Sequence, residues 1–117
     1  MNILHFTNLE IQVKTISSEE VAYLKTYLLN SSKFQKFELS FRESTIDEYL
    51  YMLIGEPHRN FSDVKKVWYF RIANTDDYMH IVLNTPEHTR NAKLKSITFK
   101  RVAKEDTPFL INRDRVN

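Results

Sequence analysis

The chain has no cysteine, one glycine and three prolines among its 117 residues. Without cysteine it can form no disulfide, thiolate nucleophile or cysteine-ligated metal site. The lone glycine, Gly55, excludes the glycine-rich loops that cradle phosphate in nucleotide-binding folds. No apolar run approaches the roughly 20 residues of a membrane span, and the N-terminus lacks the pattern of a signal peptide. We therefore expect one cytoplasmic domain over residues 1–117, without membrane contact.

Basic residues are concentrated near the end of the chain. The segment from His88 to Lys104 contains six of the 17 lysines and arginines and none of the 15 acidic residues. The same segment carries regularly spaced apolar residues, which is typical of a folded strand. A basic strand can neutralise nucleic-acid phosphates. The alternative is a solvated edge strand, whose lysines prevent aggregation.

Two stretches in the first half alternate apolar and polar residues. Leu9–Lys14 and Phe37–Phe41 both show the period of two that is typical of half-buried strands. Between them, Ser17 and Glu20 have the spacing of a capping box and predict a helix that begins after Ser17. The expected order is strand, helix, strand.

A second helix is expected to begin near Ser44 or Thr45 and to end at Gly55, which suits a left-handed C-cap. The following stretch, Glu56–Asp63, contains a proline and predicts a loop. The rest of the chain is expected to be β-structure.

Large apolar residues recur at every second position within both stretches 66–73 and 78–84, and pairing the two stretches places these apolar residues on one face. The pattern predicts an antiparallel hairpin. A connection through residues 74–77 pairs Arg71 with His80. Aromatic rings beside a guanidinium and an imidazole form a stacking platform for unpaired bases. The alternative is cross-strand packing that only stabilises the sheet. The face opposite the core is expected to carry Tyr69, Arg71, Tyr78 and His80.

The basic strand is expected from Lys93 to Val102, followed by a short strand at Phe109–Ile111. Its alternation places three of its cations on one face and Lys100 on the other. Together with the hairpin face, these cations form the predicted nucleic-acid-binding site. Its eight residues are Tyr69, Arg71, Tyr78, His80, Lys93, Lys95, Lys100 and Arg101.

No complete catalytic or metal-binding motif is present. The tripeptide His5-Phe6-Thr7 matches half of a two-histidine phosphoesterase motif, and none of the other three histidines completes it. No two histidines have the helical spacing of a metal site. We expect neither an enzyme nor a bound metal or cofactor.

The order of the first elements resembles the PUA-like fold. Asn2–Phe6, the helix from Ser18 and the stretch Ser32–Arg42 match its opening strand, helix, turn and following strand. In length, lack of cysteine and element order, the chain is similar to the PrgU-type proteins of pheromone-responsive conjugative plasmids. This resemblance implies a single PUA-like domain and an RNA-binding regulator that limits production of a plasmid-encoded surface adhesin.

The predicted fold is α+β, with a small, strongly curved sheet or a PUA-like β-barrel and two helices in the first half. The predicted function is regulation through binding of single-stranded RNA. The alternative is a small phage- or plasmid-encoded inhibitor that binds a host protein, and a hydrolase ranks last. The surface for such a protein partner would be acid-rich and formed by Glu19, Glu20, Glu38, Glu43, Asp47, Glu48 and Glu56.

Overall fold

A computed structural model describes residues 8–31, 33–62, 65–85 and 95–107. These residues form an α+β fold, as the sequence predicts. Four predictions lie outside the described residues: the opening strand Asn2–Phe6, the strand Phe109–Ile111, the phosphate contact of Lys93 and the half-motif at His5. The elements in chain order are β1 (Asn8–Ser17), α1 (Ser18–Leu29), β2 (Lys36–Thr45), α2 (Tyr49–Ile54), β3 (Arg59–Ser62), β4 (Lys65–Arg71), β5 (Asp77–Asn84), β6 (Lys95–Ala103) and a 3₁₀ turn (Lys104–Asp106).

The six strands form one mixed sheet in the order β1-β2-β6-β5-β4-β3. β1 and β2 are parallel, and every other neighbouring pair is antiparallel. β1 and β3 are the two edges, and no pairing between described strands joins them. Over the described residues the sheet is therefore open and does not close into the expected barrel.

The core lies between one face of the sheet and the two helices. Val21 and Leu28 of α1 and Leu50 and Ile54 of α2 pack with alternate residues of the strands. We call this side the helix face and the opposite side the outer face. The strand residues of the core are Phe37, Leu39, Phe41, Trp68, Met79, Ile81, Leu83, Ile97 and Phe99. By strand alternation and register, the outer face carries Lys36, Glu38, Lys65, Tyr69, Arg71, Tyr78, His80, Thr98 and Lys100.

α1 begins with the predicted capping box. The Ser17 hydroxyl accepts the Glu20 amide N–H at 3.2 Å, and the Glu20 carboxylate accepts the Ser17 amide N–H at 2.9 Å. Ile16 and Val21 flank this cap at the positions of a hydrophobic staple, and both are buried. Neither α1 nor α2 has the length and apolar character needed to cross a membrane.

α2 begins later than predicted, because β2 continues to Thr45 and the helix starts at Tyr49. Asp47 provides the cap: its carboxylate accepts the Tyr49 amide N–H at 3.0 Å. The Asp47 amide in turn donates to the Ser18 hydroxyl at 3.3 Å, which joins the starts of the two helices. At the other end, Gly55 has a positive φ of 101° with an extended ψ of 168°. This differs from the left-handed helical cap that was expected, but it still favours glycine.

The predicted hairpin is present, with its loop one residue earlier than expected. The Ile72 amide donates to the Asp77 carbonyl at 3.0 Å and closes a loop of residues 73–76. The Thr75 hydroxyl donates to the Ile72 carbonyl at 2.8 Å and accepts the Asp77 amide N–H at 3.0 Å. Asn74 supplies the positive φ of 64° that the loop needs. These local bonds determine where the strands separate.

The earlier loop shifts the strand register by two residues. Tyr69 lies opposite His80, and Arg71 lies opposite Tyr78. Because the shift is even, every side chain keeps its predicted face. The pairing of Arg71 with His80 was therefore wrong, whereas the shared face of the four residues is confirmed.

The expected loop at Glu56–Asp63 is wrong in part, because Arg59–Ser62 forms β3. β3 pairs antiparallel with β4 along Arg59–Val67 and Asn60–Lys66. This pairing gives backbone partners to the side of β4 that faces away from β5, which a loop would leave unpaired.

Trp68 provides a test of the core. Its side chain is 2% exposed, and its indole N–H donates to the Gly55 carbonyl at 2.9 Å. We expect Trp68→Ala to lower the free energy of unfolding by about 3–5 kcal/mol, measured by urea denaturation. Trp68→Phe should cost less, because it keeps a ring and loses the hydrogen bond. Equal stability of Trp68→Ala and the unaltered chain would contradict this packing.

Candidate nucleic-acid interface

Three aromatic rings form a cluster on the outer face. Tyr69 and His80 are direct neighbours across β4 and β5, and their rings stack with centroids 4.7 Å apart and planes 10° apart. His58 meets the Tyr69 ring edge-on, at 5.6 Å and 84°. Sequence reasoning did not select His58, because it lies in the stretch predicted as a loop and has no periodic pattern around it.

The stacked pair continues into a row of basic side chains. The strand registers place His80 level with Lys100, and Lys100 level with Lys36. Neighbouring strands lie about 4.8 Å apart, so the row from Tyr69 to Lys36 spans roughly 14 Å. One ring face of His80 is covered by Tyr69, and the other is turned toward β6 and Lys100. The row thus combines a flat ring with ammonium groups beside it.

The surroundings of His80 favour its neutral form. Burial, followed by the charges of Lys100 and Lys65, lowers the pKa of His80 below its ordinary value of 6.5. A neutral imidazole has one nitrogen that donates and one that accepts a hydrogen bond. The ring can therefore stack on a base and pair with its polar edge without adding another positive charge beside the lysines.

Lys100 and Arg101 are adjacent in sequence and lie on opposite faces of the sheet. The Arg101 guanidinium donates to the Phe34 carbonyl at 2.9 Å and the Ser31 carbonyl at 3.3 Å. It also forms an ion pair with Asp77 at 3.0 Å, and its side chain is only 12% exposed. Arg101, predicted from the sequence as a phosphate ligand, is instead an internal clamp between three segments.

Lys95 also lies on the helix face. It lines a cavity of about 500 Å³ together with Lys66, Asp47 and Glu48. The two carboxylates offset the charge of the two lysines, so this cavity is not a uniformly basic surface. The predicted phosphate contact of Lys95 therefore belongs to a different surface from that of Lys100.

The remaining predicted residues differ in their accessibility. Arg71 is exposed on the outer face. Tyr78, its neighbour across the strands, is 3% exposed. A ring that water barely reaches cannot receive a base, so Tyr78 does not belong to the stacking surface. Its burial contributes to stability instead.

The described residues offer no alternative metal chemistry. No three histidine, aspartate or glutamate side chains among them are placed to hold a metal ion. The imidazole Nε2 of His58 is buried and has no hydrogen-bond partner within the described structure. A buried polar atom of this kind favours a ligand or water that supplies the missing hydrogen bond.

Comparison with known proteins gives one finding. A family model described as the FTH domain matches residues 1–53, which contain β1, α1, β2 and most of α2. No curated protein and no solved structure matches the chain. The matched segment contains Lys36 and ends before Tyr69, His80 and Lys100.

The role of Arg101 can be tested by its removal. We expect Arg101→Ala to lower the free energy of unfolding by about 1.5–3 kcal/mol, because a charged donor group is lost from buried carbonyl acceptors. Arg101→Lys should also destabilise, since an ammonium cannot reproduce the fork geometry. Urea denaturation measures both variants. If Arg101→Ala is as stable as the unaltered chain, the clamp contributes nothing.

The lowered pKa of His80 predicts a pH dependence of stability. Below the ordinary pKa of 6.5 the unfolded chain binds a proton at this site and the folded chain resists it. Stability should therefore fall as the pH drops from above 6.5 toward the folded-state pKa. His80→Phe keeps a stacking ring and removes the titration, so it should lose less stability between about pH 7.5 and pH 5.5. Equal losses in urea denaturation would contradict the assignment.

Proposed function

We propose that this chain is a cytoplasmic regulatory protein that binds single-stranded RNA through the outer face of its sheet. The observation that carries the proposal is the stack of Tyr69 and His80, level with Lys100 in one row. Stacking on aromatic rings and contact with lysines are the two means by which proteins hold unpaired nucleic acid.

The preference for unpaired RNA follows from the rings. A base in a duplex has both of its faces covered by neighbouring bases, whereas an unpaired base can stack on the face of His80 that is turned toward Lys100. Lys100 then lies beside the same nucleotide, where its ammonium group can meet the phosphate.

The charges of the outer face favour a path across its central strands. Lys36, Lys100, Lys65 and Arg71 lie on this face between β2 and β4. Its acidic residues Glu10 and Glu38 lie in the neighbouring row, which also contains Thr98 of β6. We propose that the RNA follows the row from Tyr69 to Lys36 and avoids the acidic row beside it.

The finer points of the resemblance stay predictions. They are the PUA-like relationship and the PrgU-type role in limiting production of a plasmid-encoded surface adhesin. The open sheet over the described residues does not argue for a PUA-like barrel, but a basic aromatic surface is compatible with an RNA-binding regulator.

The proposal is tested by binding of labelled single-stranded RNA, measured by fluorescence anisotropy at several salt concentrations. His80→Ala should weaken binding by about 1–3 kcal/mol, the range for one lost stacking contact. Lys100→Ala should lower the slope of log affinity against log salt by about 0.7, because one phosphate contact is lost. Duplex RNA of the same sequence should bind more weakly and respond little to His80→Ala.

The matched control is Lys95→Ala. Lys95 lies on the same strand as Lys100 but on the helix face, so its removal should leave both affinity and salt slope unchanged. Equal effects of the two lysine variants would indicate attraction by net charge alone. No binding of any single-stranded RNA by the unaltered chain would overturn the proposal.

A second candidate function, protein binding, is favoured by a different surface. An apolar groove of about 490 Å³ lies between α1 and β1, with Glu19 and Glu20 at its border. These acids belong to the acid-rich surface predicted for a protein partner. Capture of a protein that protects this groove, with no retention of RNA, would favour the inhibitor hypothesis.

A further inference from the structure

β1 leaves a long edge of the sheet without a partner among the described strands. It has 10 residues, Asn8–Ser17, and lies at the end of the strand order. It contains no proline or glycine. A regular edge strand of this length exposes a row of backbone donors and acceptors, and such edges readily pair with another strand.

The same edge adjoins exposed apolar surface. Ile11 and Val13 of β1 are only half-buried on the helix face, and they line the groove of about 490 Å³ beside α1. Tyr23 of α1 borders the groove and is 66% exposed. An edge and an apolar groove that run together can be covered at once by a single partner strand.

The strand pairing of the described residues leaves the charges of β1 beside like charges. The parallel register places Glu10 level with Glu38. Lys14 lies level with Arg42, because the residues on either side of them are paired as Val13–Phe41 and Thr15–Glu43. Like charges on directly neighbouring strands are unfavourable. A cation beside Glu10 and an anion beside Lys14, on the open side of β1, would therefore be favourable.

We propose that β1 pairs in antiparallel orientation with β1 of a second copy of this chain, about a two-fold axis at Gln12. The sequence of β1 is self-complementary in this register. Glu10 of each copy lies opposite Lys14 of the other, so each like-charged pair gains a neighbour of opposite sign. Ile11 lies opposite Val13 on the helix face, and the two apolar grooves become continuous.

The two-fold axis has a consequence for both faces of the sheet. An axis perpendicular to the sheet keeps each outer face on the same side, so the pairing produces one sheet of twelve described strands. Every contact occurs twice, as in any isologous interface, so one substitution changes two contacts. The rows from Tyr69 to Lys36 end on β2, one strand from this edge, and the inference does not depend on RNA binding.

The test reverses single charges in β1 and measures the mass of the protein in solution. The measurement is sedimentation velocity over a range of protein concentrations. The unaltered chain should form a dimer. Glu10→Lys places lysine opposite lysine twice, and Lys14→Glu places glutamate opposite glutamate twice. Each single variant should raise the dimer dissociation constant by roughly tenfold or more. Both side chains are exposed, so the fold should tolerate these changes.

Two combinations make the test specific. The double variant Glu10→Lys/Lys14→Glu restores opposite charges and should recover dimerisation. A mixture of the two single variants should form a mixed dimer. A monomeric unaltered chain at all concentrations would overturn the proposal and indicate that another segment of the chain or a different protein covers the edge. A double variant as weak as the single ones would overturn the register.

Discussion

The position of β6 between β2 and β5 is the constraint on which the rest of the structure depends, and the Arg101 guanidinium reinforces it. The guanidinium connects β6 to the segment between α1 and β2 through two carbonyls, and to β5 through Asp77. The backbone amide of Arg101 adds a bond to the Gln35 carbonyl at 2.8 Å. These contacts join segments far apart in the chain and hold β6 between β2 and β5. The row of Tyr69, His80, Lys100 and Lys36 exists because β6 occupies this position.

Local patterns in the sequence predicted much of the fold. The capping box at Ser17, the alternation of the first two strands and the two faces of the hairpin depend on near neighbours, and the structure confirms them. The start of α2 was misplaced because β2 continues to Thr45 and because Asp47, which caps the helix at Tyr49, is held by Ser18, 29 residues away. The register of the hairpin depends on the hydrogen bonds of the Thr75 hydroxyl, and the alternation of apolar and polar residues contains no information about these bonds. The position of β6 in the sheet has no local signal.

The candidate site was predictable to the same extent. Alternation along the strands correctly separated Lys100 from Lys95 and Arg101, and it placed Tyr69 and His80 on one face. It could not show that Tyr78 is buried or that Arg101 faces carbonyl groups, because both depend on strands and loops distant in sequence. Lys36 joined the site only through the pairing of β2 with β6. His58 joined it through a stretch that the sequence predicted as a loop.

The strand order also constrains how the chain folds. β6 is the last described strand in the chain, yet it lies in the middle of the sheet, between the unit β1-α1-β2 and the β-structure formed by β3, β4 and β5. Until β6 is synthesised, β2 and β5 each have an unpaired edge, and the sheet remains in two parts. Such late, long-range pairing slows folding and leaves strand edges open to aggregation. Truncation before β6 would therefore divide the sheet in two, not merely remove one strand.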